Sequence, residues 1–322
     1  MLKKMSMRKL MVATLTLFIL MILYLMPDSL MEKKLDLTHD NVEYVYSNSL
    51  DVIYLLDSND YVARTKINSI NSNDVIAKAK DLIEGLIIGG SKSNIIPNGF
   101  RSIIPSGTTV LDISLESDTV TVNFSDELLD INEKYEEKMI EAIVYTLTSL
   151  DSVDKVIIKV NGEVLTKLPN SGKNLPSVLD KSFGINKVYD ISSVHNIDSF
   201  TVYYVNSYND NSYYVPVTKY INNDNQDKIK VIIEQLSSAP IYESNLMSFL
   251  DVSAKLLDYS LEEEVIKLNF NNAILSDVTN SNILEEVVYT ISLSMNDNYG
   301  VEEVIFCVDN EEIYKSLLKD IE

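Results

Sequence analysis

The longest stretch of the chain without a charged residue lies at its front. Residues 10–26 are uninterrupted in their lack of charge, and Lys3, Lys4, Arg8 and Lys9 precede them. A helix of that length spans about 25 Å at ~1.5 Å per residue, close to the ~30 Å hydrocarbon layer of a bilayer. Cations ahead of an apolar run keep the N-terminus in the cytoplasm. The run ends Leu23, Tyr24, Leu25, Met26, Pro27, which offers no small-residue cleavage site, and the single Cys of the chain is Cys307, so no lipidated Cys follows it. The pattern predicts a retained single-pass anchor at 10–26, a cytoplasmic basic tail at 1–9 and an extracytoplasmic remainder behind a polar stalk at 27–45. A cleaved signal peptide is the alternative.

Beyond the stalk the apolar periodicity switches repeatedly between two and 3.6, and it does so twice in the same order. Residues 51–56 form a β-branched and aromatic run, the turn residues Asp57, Ser58, Asn59 and Asp60 follow, and 61–67 alternate as a hairpin partner. Residues 200–206 and 213–221 repeat the arrangement, with Val62, Thr65 and Lys66 facing Val215, Thr218 and Lys219. A helical stripe follows at Val75, Ile76, Ala79, Leu82, Ile83 and Leu86, matched at 229–236. Strands at 109–115 and 119–124 come next. Val120, Val122 and Phe124 alternate with Thr119, Thr121 and Asn123, as Ile266, Leu268 and Phe270 alternate with Val265, Lys267 and Asn269. A second helix carries Ile140, Ile143, Val144, Leu147 and Leu150; its copy carries Leu284, Val287, Val288, Ile291 and Met295, with Asn282 and Glu285 as a capping box. The triplet Val144, Tyr145, Thr146 is matched with Val288, Tyr289, Thr290. An apolar strand closes each unit, at 153–163 and 301–311.

The offsets between matched positions run from 144 to 153, so loop insertions alone separate the two series. The expected fold class is α+β. Two small repeated α/β domains, each β-β-α-β-β-α-β with helices packed on one face of a mixed sheet, follow one N-terminal transmembrane helix. The expected domains are 46–163 and 200–322, joined by a linker at 164–199. That linker is rich in Gly and Pro, yet Leu175, Val178, Leu179, Phe183, Ile185 and Val188 predict that it packs against a domain. The uncovered sheet face, or an edge strand, is the expected docking surface.

Charge and composition narrow the function. The chain has 27 basic and 48 acidic residues, a net charge of -21, and the part beyond the four N-terminal cations carries -25. Such a field repels nucleic-acid phosphates, and no nucleic-acid partner is expected. One Cys and two His exclude a disulfide framework and Cys- or His-rich metal centres. No Gly-rich phosphate loop, H-E-x-x-H or G-x-S-x-G motif is present. His39 and His195 read as loop residues without a positioned partner, and Cys307 as a small core residue of a strand. Carboxylate pairs such as Glu136 with Glu137, or Glu262 to Glu264, are too common to single out a hydrolase. The Asp/Asn-rich turns at 209–211, 223–227 and 296–298 lack the Gly and terminal Glu of a Ca2+ loop. No catalytic, cofactor-binding or metal residue is expected, and no cofactor.

Residues 105–125, the helix ending in 143–163 and the linker at 168–193 together resemble the GerM-type domain of sporulation and spore-germination proteins, over roughly residues 50–315. The second unit matches more loosely and lacks the Pro-x-Gly turn of Pro105 and Gly107. Members that look like lipoproteins carry a Cys that is absent here. The resemblance implies a tethered extracytoplasmic protein with two copies of a domain like the ring-building modules of envelope assemblies. It implies a non-catalytic role in the cell or spore envelope, through contacts with envelope or spore-assembly proteins. Like charge disfavours simple self-assembly and favours a hetero-partner. Peptidoglycan lies within reach outside the membrane, so the alternative is a binding module for cell-wall glycan or a solute, with an aromatic-lined pocket between the domains. A hydrolase would require clustered acid and base groups in one cleft.

Overall fold

A computed structural model of the protein describes residues 42–44, 50–70, 72–223, 226–238 and 244–318. The chain divides into residues 1–41 and residues 42–322, and every described residue belongs to the second unit. The tail, the anchor expected at 10–26, most of the stalk and His39 lie outside the described residues. No helix among the described residues is long and apolar enough to cross a membrane.

The first repeat opens with a hairpin, β2 (Leu50–Asp57) and β3 (Val62–Asn68), after a short strand β1 (Val42–Tyr44). Helix α1 (Val75–Leu86) begins where Asp74 accepts a hydrogen bond from the Ile76 N–H at 3.0 Å, the ordinary N-cap arrangement. Then come β4 (Phe100–Arg101), β5 (Val110–Glu116), β6 (Thr119–Phe124), helix α2 (Glu133–Leu147), β7 (Lys155–Val160) and β8 (Glu163–Val164). The linker contributes β9 (Val188–Asp190). The second repeat runs β10 (Ile197–Tyr208), β11 (Asn211–Asn222), α3 (Lys228–Ser237), β12 (Leu256–Glu262), β13 (Val265–Phe270), α4 (Glu285–Tyr299), β14 (Glu303–Val308) and β15 (Glu311–Leu317). This is the mixed α+β architecture, in two copies, that the periodicity predicts. Each copy ends on one strand more than expected, β8 and β15, because two-residue turns fold the chain back on itself. Asn161 and Gly162 (φ 48° and 88°) make the first turn, Asp309 and Asn310 (φ 52° and 69°) the second.

The sheets are partitioned differently from the expectation of one sheet per repeat. The two opening hairpins join into a single sheet of order β10-β11-β3-β2-β4, with β9 parallel to β11. The later strands form one sheet in each repeat, β5-β6-β7-β8 and β12-β13-β14-β15, and β1 extends the second in parallel. Helix α2 therefore contacts β2 and β3 on one side and β7 on another, and α4 likewise contacts β10, β14 and β15. Every residue from 139 to 147 is buried. Helices α2 and α4 are held between sheets, rather than laid on one face of a single sheet. An apolar stripe reports one buried side; the other side here is small or polar (Ala142, Thr146), and the stripe does not register it.

This sandwiching also corrects the register of the duplication. Thr146 Oγ1 accepts from the Tyr54 N–H and Ser294 Oγ from the Tyr203 N–H, both at 3.0 Å. Thr146 is thus equivalent to Ser294, 148 positions on, and the buried run 139–147 of α2 falls on 287–295 of α4, of which all but Tyr289 are buried. The matching triplets at 144–146 and 288–290 lie one helical turn out of step. The capping box expected at Asn282 is absent as well. Leu284 is the N-cap without a side-chain bond, and the Asn282 backbone pairs with Asp277 instead.

The linker packs as expected, but against both repeats. Leu179 bridges to Val156, and Leu175, Leu179 and Ile185 are buried in the first core, while Val188 packs on the second. Asn186, in the left-handed region at φ 46°, accepts from the Val62 N–H at 3.0 Å. Its amide donates to the carbonyls of Val62 and Pro216, both at 2.8 Å. It stitches β3 to β11, whose ladder register contains one facing pair, Arg64 and Tyr214.

Candidate interaction site

The shared sheet brings the buried ionisable groups to the seam between the repeats, and their bonding shows what they do. Asp57 is fully buried. Its Oδ1 accepts from the N–H groups of Asn59 and Tyr61, both at 2.8 Å; its Oδ2 accepts from Asn206 Nδ2 at 3.0 Å and from the Tyr213 hydroxyl at 2.8 Å. Glu141 accepts from the Asn186 N–H at 3.0 Å and pairs with Lys187 at 3.3 Å; burial raises its pKa despite that cation. Lys181 meets Asp297 at 2.6 Å, and the second oxygen of Asp297 takes the Tyr203 hydroxyl at 2.6 Å. The Tyr203 hydroxyl lies 3.1 Å from that of Tyr54, whose ring sits edge-on to Tyr145 at 5.4 Å. Each of these carboxylates is bonded on both oxygens by groups within the protein, so the seam functions as a polar lock.

Burial, reinforced by the Asp297 charge, lifts Tyr203 and Tyr145 well above the ordinary phenol value and raises Tyr54. A group that keeps its proton longer when folded contributes stability that is complete below its unfolded pKa of about 10 and lost as pH climbs beyond it. Spectrophotometric titration at about pH 11 is therefore expected to ionise exposed tyrosines first, with these three appearing only as the protein unfolds. Early ionisation of the full tyrosine complement with native circular dichroism would contradict the buried seam.

The residues singled out in the sequence separate widely. His195 lies exposed in a loop, its N–H bonded to Ser193 Oγ and its carbonyl to Asn222. Cys307 is buried in mid-strand opposite Asn269, and burial pushes its thiol up. Glu136 is spent on the N–H groups of Asn170 and Ser171, and Glu137 on Lys173 and Lys187. Asn209 and Asp210 form the two-residue turn of the β10–β11 hairpin (φ 48° and 64°). Residues 296–298 are the last turn of α4 rather than a loop. Asp297 holds Lys181, and Asn298 Nδ2 donates to the carbonyls of Thr201 and Ser294 at 2.7 Å. At the seam Tyr54, Tyr145 and Tyr203 are buried and packed on one another.

The sequence reading missed one feature. At an offset of 146 the hexapeptide Leu-Asp-x-Ser-Leu-Glu occurs twice, at 111–116 and 257–262. Both copies lie on terminal strands of their sheets, β5 and β12. In each, a bulge interrupts the register at the Leu, between Val110 and Asp112 and between Leu256 and Asp258, and leaves Leu111 52% and Leu257 50% exposed. Asp112, Ser114 and Glu116 stand opposite Asn123, Thr121 and Thr119; Asp258, Ser260 and Glu262 stand opposite Asn269, Lys267 and Val265. These side chains share the sheet face away from the buried Val120, Val122, Phe124 and from Ile266, Leu268, Phe270. Ile157 and Ile305 occupy equivalent, half-buried places in mid-strand on that same face. A search for repeated hexapeptides, rather than for matched periodicities, would have found it.

A family model described as Germane, sporulation and spore germination, matches residues 52–166 and again 201–314. The chain belongs to the Germane family. Its two Germane segments coincide with the two structural repeats and leave the stitched linker between them. The spore germination protein GerM of Bacillus subtilis (strain 168) is 33% identical over 260 residues, 78% of this chain and 69% of GerM. The solved tandem GerMN domains of the sporulation protein GerM from Bacillus subtilis align with a TM-score of 0.75 at 30% identity, covering 81% of this chain and 91% of that one. Both matches are to GerM, which is named for sporulation and for spore germination.

Proposed function

We propose that this Germane protein serves, in a GerM-like role in sporulation and germination, as a non-catalytic scaffold of the bacterial cell or spore envelope. It is tethered by residues 10–26 and works outside the membrane by touching other proteins. One observation carries the reading: both repeats retain the segment Leu-Asp-x-Ser-Leu-Glu on a terminal strand with its first Leu, its Asp and its Glu exposed, while the buried carboxylates of the seam are held by structural bonds. Support for the tether comes from the uncharged run behind four cations. The charge of -21 favours a partner that is basic where it docks.

The test is made in native membranes. Full-length protein is expected to stay with the membrane after carbonate extraction, and in-cell crosslinking is expected to join it reproducibly to a small set of envelope proteins. A shortened soluble form rejects the tether; crosslinks to no specific protein reject the scaffold. The second reading, a module for wall glycan, has one favouring observation. Tyr189, 63% exposed on β9, stacks on Tyr220 at 4.7 Å and 14°, a flat aromatic platform of the kind on which sugar rings lie. Calorimetric titration with soluble wall saccharides, repeated on Tyr189→Ala, decides it. Heat that vanishes in the variant favours glycan binding, and no heat removes that reading.

A further inference from the structure

Core packing and surface function leave opposite marks on a duplicated chain. Packing holds buried positions to similar residues and lets exposed ones drift; docking holds exposed positions. At the structural offset of 148, α2 and α4 are identical at two positions, Glu137 with Glu285 and Ile143 with Ile291, although both helices are largely buried. The terminal strands β5 and β12 keep five residues of the hexapeptide, Leu111, Asp112, Ser114, Leu115 and Glu116 against Leu257, Asp258, Ser260, Leu261 and Glu262. In both copies the Leu of the bulge, the Asp and the final Glu are exposed. Among the described residues, no salt bridge engages Asp112, Glu116, Asp258 or Glu262.

The location matters as much as the identity. A terminal strand presents unpaired backbone N–H and C=O groups, and proteins blunt such an edge with charged side chains (Lys above all), Pro, a bulge or a very short strand. Here β5 and β12 are each seven residues long and contain neither Lys nor Pro. The bulge falls at the start of each strand, so the ladder from Asp112 to Glu116, and from Asp258 to Glu262, stays regular. Carboxylate, hydroxyl and carboxylate then alternate along the open face beside a free edge. In the second repeat a shallow depression lined by Ser260, Glu262, Glu263, Val265, Lys267 and Ile305 runs beside them.

We infer that β5 and β12 are a duplicated pair of docking edges, each of which takes an extended, lysine- or arginine-bearing segment of a partner protein as an added strand. Main-chain bonds to the open edge supply affinity, and cations at alternate positions of the incoming strand meet Asp112 and Glu116, or Asp258 and Glu262. The exposed bulge leucines, Leu111 and Leu257, give the end of that segment an apolar anchor. This deepens the scaffold reading by naming the surface and the chemistry of the partner, and it rests on that reading.

The test uses the full chain in detergent and two probes of equal charge, an alternating valine–lysine peptide about eight residues long and its counterpart with proline at every valine. Hydrogen exchange is expected to slow at residues 110–116 and 256–262 with the valine peptide and to slow far less with the proline peptide, which lacks every second main-chain donor. Reversing Asp112, Glu116, Asp258 and Glu262 together to Lys is expected to weaken the valine peptide by about tenfold or more. Equal protection by both peptides, protection elsewhere, or none at all overturns the inference. The comparison of peptides on the unaltered chain stands even if the charge-reversed variant folds poorly. Crosslinking to envelope proteins alongside silent edges would retire these edges and leave the scaffold reading in place.

Discussion

Replacing Asp57 with Ala is expected to cost about 3–5 kcal/mol, because it leaves the four donors of a buried carboxylate unpaired. The side chain is fully buried at the end of β2 and receives four hydrogen bonds. Two come from the turn that follows it in the first repeat. The other two come from Asn206 and Tyr213 in the second. Bonds to a charged acceptor contribute about 1.5–3 kcal/mol each, and their donors pay a desolvation penalty when left unpaired. The four share one carboxylate, so their losses do not add. Because half of the donors belong to the second repeat, the damage falls on the joined sheet as well as on the turn. Urea unfolding is therefore expected to show a lower midpoint together with a broadened or two-step transition, as the repeats lose their common cooperativity. Asp57→Asn should fall between, because an amide retains one acceptor for the turn but presents a donor to Asn206 and Tyr213. A loss below about 1 kcal/mol in a single sharp transition would show that the carboxylate does not bind the repeats.

The elements themselves were legible because each follows from a local period. Helix α1 starts and ends where its stripe does, from Val75 to Leu86, and the alternation in β6 and β13 names the buried residues without error. The joining of β3 to β11 was not legible. It depends on Asn186, a linker residue whose side chain bonds to backbone groups of both repeats, and an Asn in a Gly-rich stretch reads as a turn. The helix register failed for a related reason. Thr146 and Ser294 are placed by hydrogen bonds to strand N–H groups, a constraint that identity between triplets does not see. The edge strands show the converse: β5 and β12 read easily as strands, but apolar alternation gives no weight to the Asp, Ser and Glu that the two copies share.

The second large effect tests whether the helices are truly enclosed. Ala142 lies off the stripe of Ile140, Ile143, Val144 and Leu147, so a helix resting on one sheet face would leave it near solvent and accept a charge there. In the structure it is fully buried, within a run that includes the off-stripe Tyr145 and Thr146. Tyr145 packs edge-on to Tyr54 and donates its hydroxyl to the Lys181 carbonyl at 3.1 Å, so that side of the helix is closed by β2 and by the linker. Ala142→Glu inserts bulk costing about 1–3 kcal/mol in a filled core and strands a carboxylate, for a further several kcal/mol. Together these approach the whole stability of an ordinary domain, about 5–15 kcal/mol. The variant is expected to be unfolded, or to melt far below the parent, by circular dichroism. Ala142→Val, which adds volume without charge, is expected to fold and to lose about 1–3 kcal/mol. Glu133→Ala, at the exposed first turn of the same helix, is expected to change stability by less than about 0.5 kcal/mol. If Ala142→Glu instead unfolded within about 1 kcal/mol of the parent, α2 would have an open face. Each repeat would then be a single sheet with its helices laid on one side, and the hairpins would have no reason to share a sheet.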